Sequence, residues 1–201
     1  MKKNPLPQSP SGFFGKLFGK IMELTNSRAY RGALDALNPI EGEIFLEFGY
    51  GTGLFSELLL KSRGTIVVHG IDPTPTMVDV ATKRLQKKRL DSRANLRVGY
   101  DSDLPDVSSF YSGIVAIHSF QFWKEPEKTI KNIFYILKPN GRFILVFRNH
   151  SQNPPDWLPN PISRSGKEVE LALKLLVDHG FSCTFFPDAG SSKILRAVRT
   201  T

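Results

Sequence analysis

The chain has 201 residues, enough for one domain of ordinary size, and 40% of them are hydrophobic, enough for a proper core. Lys and Arg number 27 against 19 Asp and Glu, a net charge of +8, and the single cysteine, Cys183, excludes an internal disulfide framework and suits a reducing cytoplasm. No apolar run approaches the roughly 18 residues of a membrane span, and prolines interrupt the basic start where a secretory leader needs an apolar stretch.

In chain order, residues 1–12 read as a disordered tail and 13–201 as a single domain. The segment Phe13-Phe-Gly-Lys-Leu-Phe-Gly-Lys-Ile-Met22 repeats apolar residues at helical spacing, with Lys16 and Lys20 beside them. It reads as part of a helical cap over residues 13–38. The same amphipathic pattern is compatible with peripheral contact to an anionic membrane. Residues 44–53, Ile-Phe-Leu-Glu-Phe-Gly-Tyr-Gly-Thr-Gly, then carry an apolar strand through Glu47 into Gly49, Gly51 and Gly53. A turn without Cβ atoms at a strand's carboxyl end lets a ligand lie against the backbone, and Leu54–Leu60 follows as a helix. The dinucleotide fingerprint puts its last glycine one position later, where this chain has Leu54, so a diphosphate cradle fits poorly.

A second strand, Gly64–Ile71, ends at Asp72. A carboxylate about 20 residues beyond such a loop is placed to accept the hydroxyl hydrogens of a ribose. Because Pro73 and Pro75 follow, a helix cap or Asp-Pro turn is the alternative. Asn95–Tyr100 reads as the third strand, and the apolar run 113–118 suits a central strand buried on both faces. A helix is expected over Glu125–Leu137, stopped by Lys138-Pro-Asn-Gly-Arg142, with strand five over Phe143–Phe147. Another helix over Lys167–His179 ends at Gly180, and strands Ser182–Phe186 and Ile194–Arg199 flank a hairpin turn. Alternating strands and helices give a parallel sheet through right-handed crossovers, and the terminal hairpin is what a dehydrogenase-type domain lacks.

The pattern Glu47-x-Gly49-x-Gly51-x-Gly53, with Leu137-Lys-Pro-Asn-Gly-Arg-Phe-Ile-Leu145 before strand five, resembles the class I S-adenosylmethionine-dependent methyltransferases. The resemblance covers roughly residues 13–199 and implies an α/β, Rossmann-like fold. Its seven-stranded, mostly parallel sheet has the order 3-2-1-4-5-7-6, with the last strand antiparallel and helices on both faces. The implied cofactor is S-adenosyl-L-methionine, with no metal. Glu47, Gly49, Tyr50, Gly51 and Gly53 would form the loop beside it, and Asp72 and Pro73 the ribose side. Met77, Tyr100 and Asp101 would border the adenine, and His118 would close the site. Three departures stand out. Where relatives often carry G-D-A-x-x-L-P, this chain has Gly99-Tyr-Asp-Ser-Asp-Leu-Pro105, so Tyr100 takes the Asp position and Asp101 comes one later. Tyr111-Ser112 replaces the usual F-D. The stretch His118-Ser-Phe-Gln-Phe-Trp123 ends in the family's Trp but has Phe122 in place of a common His.

His118, at the end of a central strand, is the candidate general base, with a packing histidine as the alternative. Phe122 and Trp123, together with Phe18, Tyr30 and Trp157, are the candidate acceptor wall. Asn153-Pro-Pro-Asp156 looks like the motif of enzymes that methylate amino groups of adenine in nucleic acids. It falls after strand five, however, with Asp156 where that motif has an aromatic residue. The densest basic run, Lys83–Arg89, belongs to the helix after strand two, a solvated face remote from the expected acceptor mouth, so nucleic acid is disfavoured. The expectation is a cytoplasmic methyltransferase for a small, partly apolar acceptor: lipid-like, quinone-like or an amine. Two rivals are a nicotinamide-linked oxidoreductase, disfavoured by Leu54 and the hairpin, and a methyltransferase-like binding protein without turnover, consistent with Tyr100 and Ser112.

Overall fold

Alternation with a period of two governs the sheet and divides its side chains between two cores. The computed structural model describes residues 26–148 and 166–200. Seven strands, β1 (Ile44–Phe48), β2 (Val67–Asp72), β3 (Ala94–Val98), β4 (Tyr111–Ile117), β5 (Leu137–Arg148), β6 (Phe181–Phe186) and β7 (Ser192–Arg199), lie in the order β3-β2-β1-β4-β5-β7-β6. β1 pairs in parallel with β2 and β4, whereas β7 runs antiparallel to both β5 and β6, as the family resemblance implies. On one face Leu46, Phe48, Ile114, Ala116, Phe143, Leu145 and Phe147 pack under α4 (Pro126–Ile136) and α5 (Gly166–Asp178). On the other, Phe45, Val115, Ile144 and Val146 meet α1 (26–37), α2 (Leu54–Ser62) and α3 (Pro75–Lys87). Burying each large aliphatic or aromatic side chain contributes about 1.5–3 kcal/mol. β4, at the centre, is buried at every residue.

Several elements depart from the expected bounds. α4 stops at Ile136, and β5 begins at Leu137 rather than Phe143. Leu137 pairs with Tyr111, and the register resumes at Arg142 opposite Gly113, so Lys138–Gly141 bulge out of the strand. Asn140 has φ 61°, and a Cβ on Gly141 would stand 2.7 Å from the Lys138 carbonyl oxygen. The Pro and Gly read as helix breakers therefore also fold this bulge. The third strand ends at Val98, two residues early, because the chain leaves the sheet at Gly99 to cross towards β4. That crossover contains no α-helix, only the single 3-10 turn Asp101–Asp103. No helix among the described residues is long and apolar enough to cross a membrane. Residues 1–12, the segment Phe13–Met22 with Phe18, and the stretch bearing Asn153–Asp156 and Trp157 lie outside the described residues.

Candidate cofactor and acceptor site

The carboxyl ends of β1, β2 and β4 open on a cleft of about 230 Å³ whose wall runs from Gly49 and Asp72 past Tyr100 and Asp101 to His118, Phe122 and Trp123. The glycine loop at its base requires its residue types. Gly49, Gly51 and Gly53 have φ of 68°, 50° and 74°, the left-handed region that a Cβ disfavours. The Gly49 amide donates to the Ile71 carbonyl (2.7 Å), tying the end of β1 to β2. Gly53 caps α2, and a Cβ there would lie 2.8 Å from the Cβ of Ala81 on α3. At Gly51 nothing lies within 4 Å of where a Cβ would be, so the loop backbone is open to a ligand.

Two acidic residues brace this loop. Asp72, 5% exposed, accepts the Gly51 amide on one oxygen and the Thr74 amide on the other, each at 2.9 Å. It is both the carboxylate beside the loop and the cap-type turn before α3. Burial raises its pKa, against the two amides that lower it. Glu47 is fully enclosed. Burial pushes its carboxyl up to about 7, the Ser56 hydroxyl that donates to it opposes this, and Asp72 adds to it. Tyr50 turns away from the cleft. Its ring packs where a Cβ on Gly70 would be, and its hydroxyl donates to the Arg97 carbonyl at 3.3 Å. Met77, on the first turn of α3, is half-buried. Glu47, Tyr50, Gly51, Gly53 and Met77 stand behind or beside the wall, whereas Gly49, Asp72, Pro73, Tyr100, Asp101 and His118 form it.

On the expected adenine side, Tyr100 is 43% exposed with the Lys124 ammonium 5.1 Å from its ring centre. The Asp101 carboxylate accepts the Thr129 hydroxyl (3.0 Å) and the Lys124 amide (3.2 Å), so it pins the crossover to the start of α4. On the acceptor side, His118 has φ 53° and donates its amide to the Val146 carbonyl at 2.9 Å. Its Nε2 lies 3.1 Å from the Ser192 hydroxyl, and among the described residues its Nδ1 is buried without a partner, as is the hydroxyl of Ser119 beside it. Burial, then the nearby Arg148 guanidinium, pushes the His118 pKa down to about 4. The imidazole is therefore neutral at physiological pH and a weak base. Phe122 is exposed on the rim. Trp123 lines the cleft while lying against Phe48 (5.5 Å), Phe120 (5.1 Å) and, nearly parallel, Phe143 (6.2 Å), so it is wall and core at once. Tyr30 lies off the wall, on α1, 6.1 Å from the Phe55 ring.

These residues fit S-adenosylmethionine. A buried carboxylate, a glycine loop without side chains and two unpartnered polar atoms on the wall suit a nucleoside joined to an amino acid. Among the described residues no group of three or more His, Cys, Asp and Glu side chains is arranged to hold a metal ion. Sequence reasoning missed Thr74, Gly99, Ile117 and Ser119 on the wall. It also missed Asn26, Arg148 and Ser192 around His118. Most directly adjoin a strand's carboxyl end, and that position is the signal that would have found them.

The family model for a methyltransferase domain matches residues 46–145. An uncharacterised methyltransferase, YdaC of Bacillus subtilis, is 29% identical over 130 residues, which cover 65% of this chain and 70% of that protein. The erythromycin 3''-O-methyltransferase of Saccharopolyspora erythraea is 25% identical over 120 residues, covering 60% of this chain but only 39% of the relative. Among solved structures, a SAM-dependent methyltransferase from Aquifex aeolicus superposes with a TM-score of 0.73 at 21% identity, over 89% of this chain and 96% of that one. With this strand order and a matching family model, the chain belongs to the class I S-adenosylmethionine-dependent methyltransferases.

Proposed function

We propose that the protein transfers a methyl group from S-adenosylmethionine to a small, partly apolar acceptor that enters beside Phe122 and Trp123. The observation that carries this reading is the continuity of the cleft: one wall runs from the glycine loop and Asp72 to an aromatic rim. When bound, the cofactor supplies an electrophilic methyl group on a sulfonium. The chain's own residues bind, orient and exclude water, the terms that dominate such a displacement. Asp72 accepts from the ribose hydroxyls, and Gly51 leaves the backbone open. Ile117, Phe122 and Trp123 give the acceptor an apolar surface. A relative named for methyl transfer to an oxygen of erythromycin supports an organic acceptor of this kind.

A nucleic-acid acceptor is not supported. Lys83, Arg84, Lys87, Lys88 and Arg89 belong to α3 and its end, and Arg84 is held by Glu57 and the Thr52 carbonyl. A cytoplasmic location agrees with the free Cys183. The second reading, a binding protein without turnover, is favoured by the Asp101 carboxylate, which Thr129 and Lys124 already engage. Calorimetric titration with S-adenosylmethionine and its demethylated product, beside Asp72→Ala, tests the assignment. Micromolar binding that the substitution weakens at least about 100-fold is expected, and absence of binding by folded protein would remove the enzyme reading. Turnover with a panel of lipid, quinone and amine acceptors separates the two readings.

A further inference from the structure

β5 delivers its side chains alternately to the two cores, Ile144 and Val146 going to the α1 side. Arg148 is next in that apolar row, so the strand places a guanidinium where its period calls for a hydrophobe. The group is half-buried, and burial pulls its pKa below the usual arginine value, with no carboxylate among the causes. Among the described residues Arg196, half-buried with its Nε unpartnered, lies over the Phe186 ring, and the other inward cations have fuller partners. Arg142 pairs with Glu43, Arg84 pairs with Glu57, and Arg93 donates to three backbone carbonyls. Arg148 makes a single hydrogen bond among the described residues, to the buried amide oxygen of Asn26 at 2.6 Å. A guanidinium has five N–H donors in a fixed fork, so most of that fork is left to another acceptor. Removing a cation from water is costly, and among the described residues no carboxylate offsets that cost for Arg148.

Its surroundings connect it to the cleft. Arg148 faces Ser192 across the β5–β7 ladder, and Ser192 holds the Nε2 of His118, which forms the cleft wall. Among the described residues the polar groups around the guanidinium are Asn26 and Tyr30 of α1, Ser192 and His118, and none of them is a carboxylate. We propose that Arg148, flanked by Asn26 and His118, is the specificity residue of the acceptor side and receives an oxyanion, a carboxylate or a phosphate, carried by the methyl acceptor. The inference rests on the methyltransferase reading above and narrows its acceptor to molecules that combine an apolar body with a negative head. An acceptor that arrives charged also suits a site whose histidine is a weak base.

Octanoate, octyl phosphate and octanamide share an apolar chain and differ at the head. Each is titrated calorimetrically into the protein with and without the demethylated cofactor product. Failure to bind the product then counts against the cofactor reading, while the anion series is still read out. The expected result is that octanoate, octyl phosphate or both bind about tenfold or more tightly than octanamide, that Arg148→Gln removes this preference, and that it leaves product affinity within about twofold. Which anion binds separates a carboxylate acceptor from a phosphate one. Arg148→Lys, which keeps the charge but not the fork, should retain part of the preference. Equal affinity for all three ligands in the wild-type protein overturns the proposal, whether or not the Gln variant folds, and so does a preference that survives in a folded Arg148→Gln protein.

Discussion

Glu47 and His118 are both buried at the site, and burial moves their pKa values in opposite directions because it penalises whichever form is charged. For Glu47 the folded value of about 7 lies above the usual 4.5 of an exposed glutamate. Between those values the folded state keeps a proton that the unfolded chain releases. Stability therefore falls as pH rises from about 4.5 to about 7, with a full cost of about 3 kcal/mol above that window. Glu47→Gln has no such charge. In urea unfolding of the cofactor-free protein it should gain about 3 kcal/mol on the wild type between roughly pH 4.5 and pH 8, and a pH-independent offset would contradict the buried carboxyl. His118 runs the other way, its value depressed from 6.5 to about 4. Its contribution is complete above about pH 6.5 and is lost as pH falls towards 4. Its ring resonances should stay flat in an NMR titration from roughly pH 8 down to 5.5. A midpoint near neutrality would restore it as a general base.

At the level of elements, the glycine loop separates two duties that one motif conceals. Gly53 is a packing glycine, because α2 and α3 touch where its side chain would be, whereas Gly51 faces open space. Gly53→Ala should cost about 2–4 kcal/mol in thermal unfolding, combining left-handed strain with overpacking. Gly51→Ala should cost only about 1–2 kcal/mol and show its main effect as weaker cofactor binding by calorimetry. The strands, their intervening helices and the carboxyl-end cleft were legible because apolar runs, punctuating glycines and Asp72 carry them in one dimension, and the strand order was implied by the family resemblance. Side-chain direction in irregular backbone was not. Tyr50 lies between two loop glycines yet turns its ring under Gly70, and Asp101 spends its carboxylate on Thr129. Arg148 escaped notice because the apolar run appeared to end at Phe147, although counting every second residue from Ile144 leads to it. The bulge at Lys138–Gly141 was hidden for a related reason: helix breakers and bulge formers are the same residue types.

For the molecule as a whole, cofactor binding and folding are linked. Demethylated product at about 100 times its dissociation constant should stabilise the fold by about 2.7 kcal/mol, raising the melting temperature by roughly 5–10 °C. Asp72→Ala should show no such shift in differential scanning fluorimetry at the same concentration. The strand order also has a consequence for synthesis. β7, made last of the seven, lies inside the sheet between β5 and β6, and it brings Ser192 to a histidine 74 positions earlier. A ribosome delivering this chain vectorially thus exposes the unpaired hydrogen-bonding edge of β5 until residues 192–199 have emerged. Until then His118 has no Ser192 hydroxyl to hold it, and the nascent chain presents an adhesive strand edge to its neighbours. Completion of the site thus waits for β7, and the interval before it is when the nascent chain is most exposed to aggregation.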